Sequence, residues 1–419
     1  MLLENKTMYV YALMVVLLLA FRFLLDLTYI VFISEYFRYS GFYYDFNKYT
    51  YLLSWFFTFI SIFLVREKID KPSDYFFLTV VVFVLIPLTS YFGLADRELM
   101  PLLISVLSVY FIYIILNTRL VKPVNFKKIN NGHRFAFFVS IVFVVILIFW
   151  YILSGAIKYM NFDFTRVYEF RSKSAELAAI GPMAYLNGWV YNVFIVYYLS
   201  YCLLNKKYNL FLLGFLIQIF FYGVSGHKSV FFTPFLVLGI WWYFSKYKSI
   251  IFMIVFFNFL LIVGFVFLSF DNIEFSSMFV RRLFFVPAKL YYDYIDFFSV
   301  NPKVYWSNSF LSFFFDYPYA VKFSMMVGEA NDTGSNANNG YMSSGYANWG
   351  YYGIFFYSII ISFILKNIDY YAKSNLPLWF VLALVIVPLR AFIVSSDLFT
   401  TILTHGLLVA MILLVISRK

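Results

Sequence analysis

Apolar residues in this chain come in long blocks separated by short polar punctuation, not in the one-sided stripes of a water-soluble helix. A helix that crosses a bilayer needs about 20 largely apolar residues. About twelve blocks approach that length, at 8–34, 49–65, 74–94, 98–118, 134–154, 183–204, 208–225, 229–244, 249–270, 351–367, 377–396 and 398–416. The pattern predicts an all-α polytopic membrane protein of about twelve transmembrane helices, forming a single membrane domain over 1–419. The run Met8 to Ile33 is too long for the core of a cleavable signal, so it reads as a retained span.

The polar punctuation is uneven. REKIDK, RLVKPVNFKK with the following HR, NKK, SKYK, KNIDYYAK and the final SRK fall at alternate gaps and hold most short-loop Lys and Arg. Positive charge of this kind marks the cytoplasmic side and places both termini there. Two segments on the opposite side exceed ordinary turns: 154–182, and 271–350 between spans nine and ten. Loops this long are usually functional or disordered. The second is too aromatic for disorder and reads as a folded extracytoplasmic cap.

Composition agrees and narrows the class. The chain is 63% hydrophobic, 25% aromatic and 13% charged, with a mean hydropathy of +0.81. A soluble domain carries about 45–50% apolar and 25% charged residues. Cys202 is the single cysteine and the three histidines are scattered, which argues against an internal disulfide and against zinc. The net charge of +11 suggests nucleic acid only in a soluble protein; here the loop pattern accounts for it. No internal repeat points to a transporter of two related halves.

Chemistry gathers on the side opposite the basic loops. Arginine grips phosphate through a planar fork and stays charged at any working pH. Arg166 and Arg171 lie in the first long loop, and Arg281 and Arg282 open the second, against the positive-inside bias. Lys228 follows Gly223 and Gly226 at a tight turn where exposed N–H groups favour an anion. Arg390 stands only about 9 Å of helix from its span's outer end, with Asp397 as the alternative partner. Each of these cations has a plain competing reading as a solvated or ion-paired surface group. His133, His227 and His405 suit ordinary structural roles. Asp293, Asp296, Asp316, Glu329 and Asp332 in the large loop are candidate proton acceptors, and the sequence does not choose among them. The segments FFFDYPY and YYDYIDFF offer sugar-stacking rings or, more commonly, a membrane-surface belt.

Four ordered segments carry a resemblance: VYEFRSKS, SGHKSVFFTPFL, RRLFFVPAKLYYDYIDFF and NNGYMSSGYANWGYYG. With the late large loop, they resemble the O-antigen polymerases (Wzy), bacterial inner-membrane enzymes that join lipid-linked oligosaccharide repeat units at the periplasmic face. The resemblance implies a GT-C-like glycosyltransferase fold. It implies transfer of the growing glycan from undecaprenyl diphosphate to the non-reducing end of another lipid-linked unit, with no cofactor and no metal. The implied partners are that lipid-linked oligosaccharide, membrane lipid, a chain-length co-polymerase (Wzz) and a flippase (Wzx), and no nucleic acid. Arg171 and Arg282 match the family's loop arginines, expected to be catalytic and to hold the diphosphate. Arg166, Lys228, Arg281 and Arg390 join them as diphosphate ligands. Asn339, Asn348 and Gly350 match the closing segment, whose Gly and Asn serve a tight turn into the tenth span. Where many relatives carry an aspartate in that segment, this chain has Ser343 and Ser344, which leaves Glu329 and Asp332 as substitute bases. An O-antigen ligase and a lipid-linked oligosaccharide flippase are the alternatives. A ligase is expected to have a histidine in the large loop, and this loop has none. Of the neighbouring pair, Arg282 is the one expected to face the diphosphate.

Overall fold

The structure is a computed structural model. It describes residues 2–418 apart from Thr165, Asp271, Asp332, Thr333, Ser335, Ser374 and Asn375, without the side chains of 2–7 and 167–169. The described residues are mostly helical, with no strand and only two isolated bridges, Asp45 to Ala95 and Lys68 to Ser249. Eight helices among them are long and apolar enough to cross a membrane. These are Met8–Tyr36, Pro72–Leu94, Leu99–Asn117, Gly132–Leu153, Tyr208–Ser225, Ile251–Leu268, Tyr341–Ala372 and Leu378–Ser395. The other apolar blocks of the sequence are also helical, at Lys48–Ile62, 182–204, Lys228–Lys246, Leu398–Leu403 and Leu407–Ile416, but shorter or less apolar. Among the described residues five stretches widen to π-helix, at Tyr29–Ile33, Val81–Leu85, Val190–Phe194, Ser277–Phe285 and Ala391–Ser395. Such widenings are frequent at functional sites.

The chain divides into two compact units. The first comprises Met1–Lys122, Ser249–Lys366 and Phe392–Leu398. Its core holds an ion pair that the sequence reading passed over. Arg22 and Asp26, one helical turn apart in the first span, pair with each other and are almost wholly buried. Arg22 donates to Ser54 Oγ at 2.9 Å and Thr89 Oγ1 at 3.3 Å, and its guanidinium lies 5.0 Å from the Trp55 ring. Asp26 accepts from Ser90 Oγ at 2.5 Å and from the Tyr51 hydroxyl at 3.0 Å. Charges inside a span persist only when paired and bonded in this way. The cluster fixes helices Met8–Tyr36, Lys48–Ile62 and Pro72–Leu94 to one another. Gly93 supports it, since a Cβ there would sit 2.5 Å from Ser54 Oγ.

The end of the large loop folds back on itself. Helix Tyr341–Ala372 breaks at Trp349 and Gly350, where Gly350 has φ +61° and ψ −148°, a conformation that needs glycine. The short arm 341–348 then packs against the long arm through Gly345 and Gly353. Asn348 holds the bend: its Nδ2 donates to Ser344 O at 2.8 Å, and its Oδ1 accepts from the Trp306 backbone N at 2.8 Å. Asn339 ties the same arm to the loop's beginning, donating to Pro287 O at 3.0 Å and Ser343 Oγ at 2.7 Å.

The second unit comprises Pro123–Lys248, Asn367–Ala391 and Phe399–Lys419. Tyr197 is a hub, its hydroxyl 2.7 Å from His133 Nδ1 and 2.6 Å from Ser417 Oγ. The structural role expected for His133 is therefore met. Gly406, with φ +81°, separates Leu398–Leu403 from Leu407–Ile416, and the Trp189 indole donates to the freed Leu403 carbonyl at 2.5 Å. Cys202 is free and buried.

Candidate functional site

In the second unit the first long loop folds over the turn that joins helices Tyr208–Ser225 and Lys228–Lys246. Gly226 ends the first helix in a left-handed conformation, φ +66°, and His227 starts the second as its N-cap. The Asn161 backbone N donates to Gly223 O at 2.8 Å, and Phe164 stacks on Tyr222 at 4.8 Å. Gly223 is needed for this approach, because a Cβ would meet Phe162 at 2.6 Å.

The loop then forms helix Val167–Ala178, which carries Arg171 on its exposed side. Arg166 is its N-cap residue, exposed, with its guanidinium 5.4 Å from the Phe170 ring. Lys228 occupies the first turn of its own helix, where free N–H groups also point outward. Its ammonium is exposed, 6.0 Å from the Phe164 ring. Arg166, Arg171 and Lys228 are thus brought to one end of this unit. Arg390 belongs to the same unit; it ends helix Leu378–Arg390, exposed, just before a π-helical stretch. Asp397 accepts a hydrogen bond from the Tyr357 hydroxyl at 2.7 Å.

His227 lies in the same turn. Half-buried between the cations, it has a pKa lowered to about 4, first by burial and then by the charge of Arg171. The ring is therefore held neutral, with a free lone pair but a low affinity for a proton. Its ring lies 6.3 Å from that of Tyr191, which bonds Tyr151, whose hydroxyl lies 2.9 Å from Asn187 Oδ1. Proximity of Arg171, 56 residues earlier, was the missing signal, and only the fold supplies it.

The first unit holds the arginine pair, on the π-helical stretch Ser277–Phe285. Arg281 is half-buried; its Nε donates to Ser277 Oγ at 3.2 Å and its guanidinium lies 4.1 Å from the Phe37 ring. Burial, and then Arg282, pull its pKa down. Arg282 is exposed and has no hydrogen bond or ion pair among the described residues. The neighbours differ: Arg281 packs on Phe37 and Arg282 is exposed.

The acids of the large loop separate clearly. Asp293 is buried against Lys289 at 2.8 Å, with its pKa raised by burial. Asp296 bonds Arg97, whose guanidinium also lies 4.9 Å from the Tyr292 ring. Asp316 and Glu329 are exposed, and Asp332 lies outside the described residues. Ser343 and Ser344 are buried, and the Ser344 hydroxyl donates to the Gly340 carbonyl. A small recess opens beside Asn339, Ser343, Pro287 and Tyr291. Asn339, Asn348 and Gly350 are structural in this fold: they shape the fold-back and its attachment.

Compared with protein-family models, with characterised proteins and with solved structures, the chain matches none.

Proposed function

We propose that this chain is a lipid-linked glycan polymerase of the O-antigen type. It works in the bacterial inner membrane with twelve spans and cytoplasmic termini, and its site faces the periplasm. The observation that carries this reading is the assembly of Arg166, Arg171, His227 and Lys228 at one end of the second unit.

The chemistry follows from those side chains. Transfer breaks the bond between an anomeric carbon and a diphosphate oxygen, so negative charge grows on the leaving group. Arg171 and Lys228 place positive charge where that negative charge develops and so lower the barrier. Arg166 adds a third cation to the set. The attacking sugar hydroxyl must lose its proton, and the candidate acceptors are His227, neutral beside these cations, and the exposed Glu329. In the first unit, Arg282 is a second phosphate ligand, and Arg281 positions it from a packed seat on Phe37. Arg390 is a further phosphate ligand of the second unit.

Lipopolysaccharide gels of a deletion strain test the reading. Loss of a polymerase leaves core carrying a single repeat unit, and the wild-type gene restores the ladder. A deletion lacking the single-unit band means a flippase or ligase defect and overturns the proposal.

A further inference from the structure

The large loop carries an aromatic tip whose exposure nothing so far explains. Phe313 is 96% exposed and Phe314 78%, within the sequence SNSFLSFFFD. A soluble surface seldom presents such adjacent rings, and contiguous exposed apolar patches mark interaction sites. The tip is ordered by its own backbone: Leu311 N donates to Trp306 O at 3.3 Å and Phe314 N to Leu311 O at 2.9 Å.

Its root is fixed to the start of an apolar helix. The Trp306 indole donates to the Tyr357 hydroxyl at 2.8 Å, and its ring lies 5.3 Å from Phe356 and 6.4 Å from Trp349. That helix shows Trp349, Tyr352 and Phe356 at its own surface, 50%, 76% and 37% exposed. Trp and Tyr at the beginning of a span sit at headgroup level, where one face is apolar and the other wet. Phe310, its ring 6.1 Å from that of Trp306, links the exposed rings of the tip to this helix surface.

We propose that the segment 310–315 is a membrane anchor whose phenylalanines enter the lipid surface beside the Trp349–Gly350 bend. The segment is too short to span, and its turns leave backbone groups that hydrocarbon would not satisfy, so the rings enter only to the boundary of headgroups and chains. Ser309 and Ser312 remain among the headgroups, with Lys303 and Lys322 close in sequence on either side. The anchor holds the large loop against the bilayer at its bend. It stands on the apolar helices alone and does not depend on the glycan reaction.

The single cysteine makes the test simple. In a Cys202→Ser background, Phe313→Cys and, separately, Phe314→Cys are labelled with an environment-sensitive fluorophore in vesicles, with Asn338→Cys as the exposed control. Lipids bearing a nitroxide near the headgroup should quench the two tip probes more than lipids labelled at the chain end. Aqueous iodide should quench them several-fold less than the control. Iodide quenching equal to the control would overturn the anchor. So would shielding that vanishes when the protein is diluted in lipid, which would mean that a second copy covers the tip.

Discussion

Gly345 and Gly353 face each other across the fold-back of the closing segment with no space for a side chain between them. A Cβ on Gly345 would lie 3.0 Å from the carbonyl oxygen of Gly353, and one on Gly353 would run into the carbonyl of Gly345. Small residues at such a crossing let two helical arms touch backbone to backbone. Gly353→Val should cost about 1–3 kcal/mol through overpacking and lower the unfolding temperature in detergent. An unchanged melting curve would mean that the arms do not meet there.

The buried pair in the first span sets the largest stability effect. Asp26→Ala leaves Arg22 charged and unpaired in the core, a loss of about 3–5 kcal/mol by analogy with other broken buried pairs. Little folded protein should reach the membrane. The double change Arg22→Leu with Asp26→Leu should recover much of the level, because no uncompensated charge remains. Equal loss in the single and double variants would contradict a pairing role.

Arg281 and Arg282 should fail differently. Arg282→Ala removes an exposed cation with no internal partner, so it should abolish polymer at normal protein abundance. Arg281→Ala removes a guanidinium packed on Phe37 and should lower abundance and melting temperature. Immunoblots beside the lipopolysaccharide gel separate the two outcomes.

The imidazole of His227 offers a direct titration. Its ordinary pKa of 6.5 falls to about 4 in the fold, so the neutral ring is favoured there. Its contribution to stability is present above pH 6.5 and is lost as pH falls through about 4. Diethyl pyrocarbonate modifies only neutral imidazole, so the pH dependence of His227 labelling, read by mass spectrometry, should persist down to pH 5. Arg171→Gln should move the midpoint upward. A midpoint near 6.5 that ignores Arg171 would mean that neither burial nor Arg171 acts on the ring.

Much of this was legible in the chain, for physical reasons. Blocks such as 134–154 and 249–270 announce helices because apolar length alone dictates them, and Gly350 announces its bend because only glycine takes that backbone. That Arg281 and Arg282 need not act alike follows from the angle between helix neighbours, whereas the packing of Arg281 on Phe37 and the π-helical geometry beneath it do not. Arg22 and Asp26 were missed although their four-residue spacing is visible, because two charges barely dent the mean of so apolar a span. For His227 the neighbouring Lys228 already speaks against protonation, but the causes the fold supplies are burial and Arg171, neither of which is local.

The most direct measurement is made with purified protein in vesicles, supplied with undecaprenyl-diphosphate-linked repeat units from a strain that lacks this gene. Glycans of two and more units should appear on one lipid carrier, and Arg171→Ala and His227→Gln should yield none at equal incorporation. If the wild-type protein leaves every glycan at one repeat unit, the central claim is wrong.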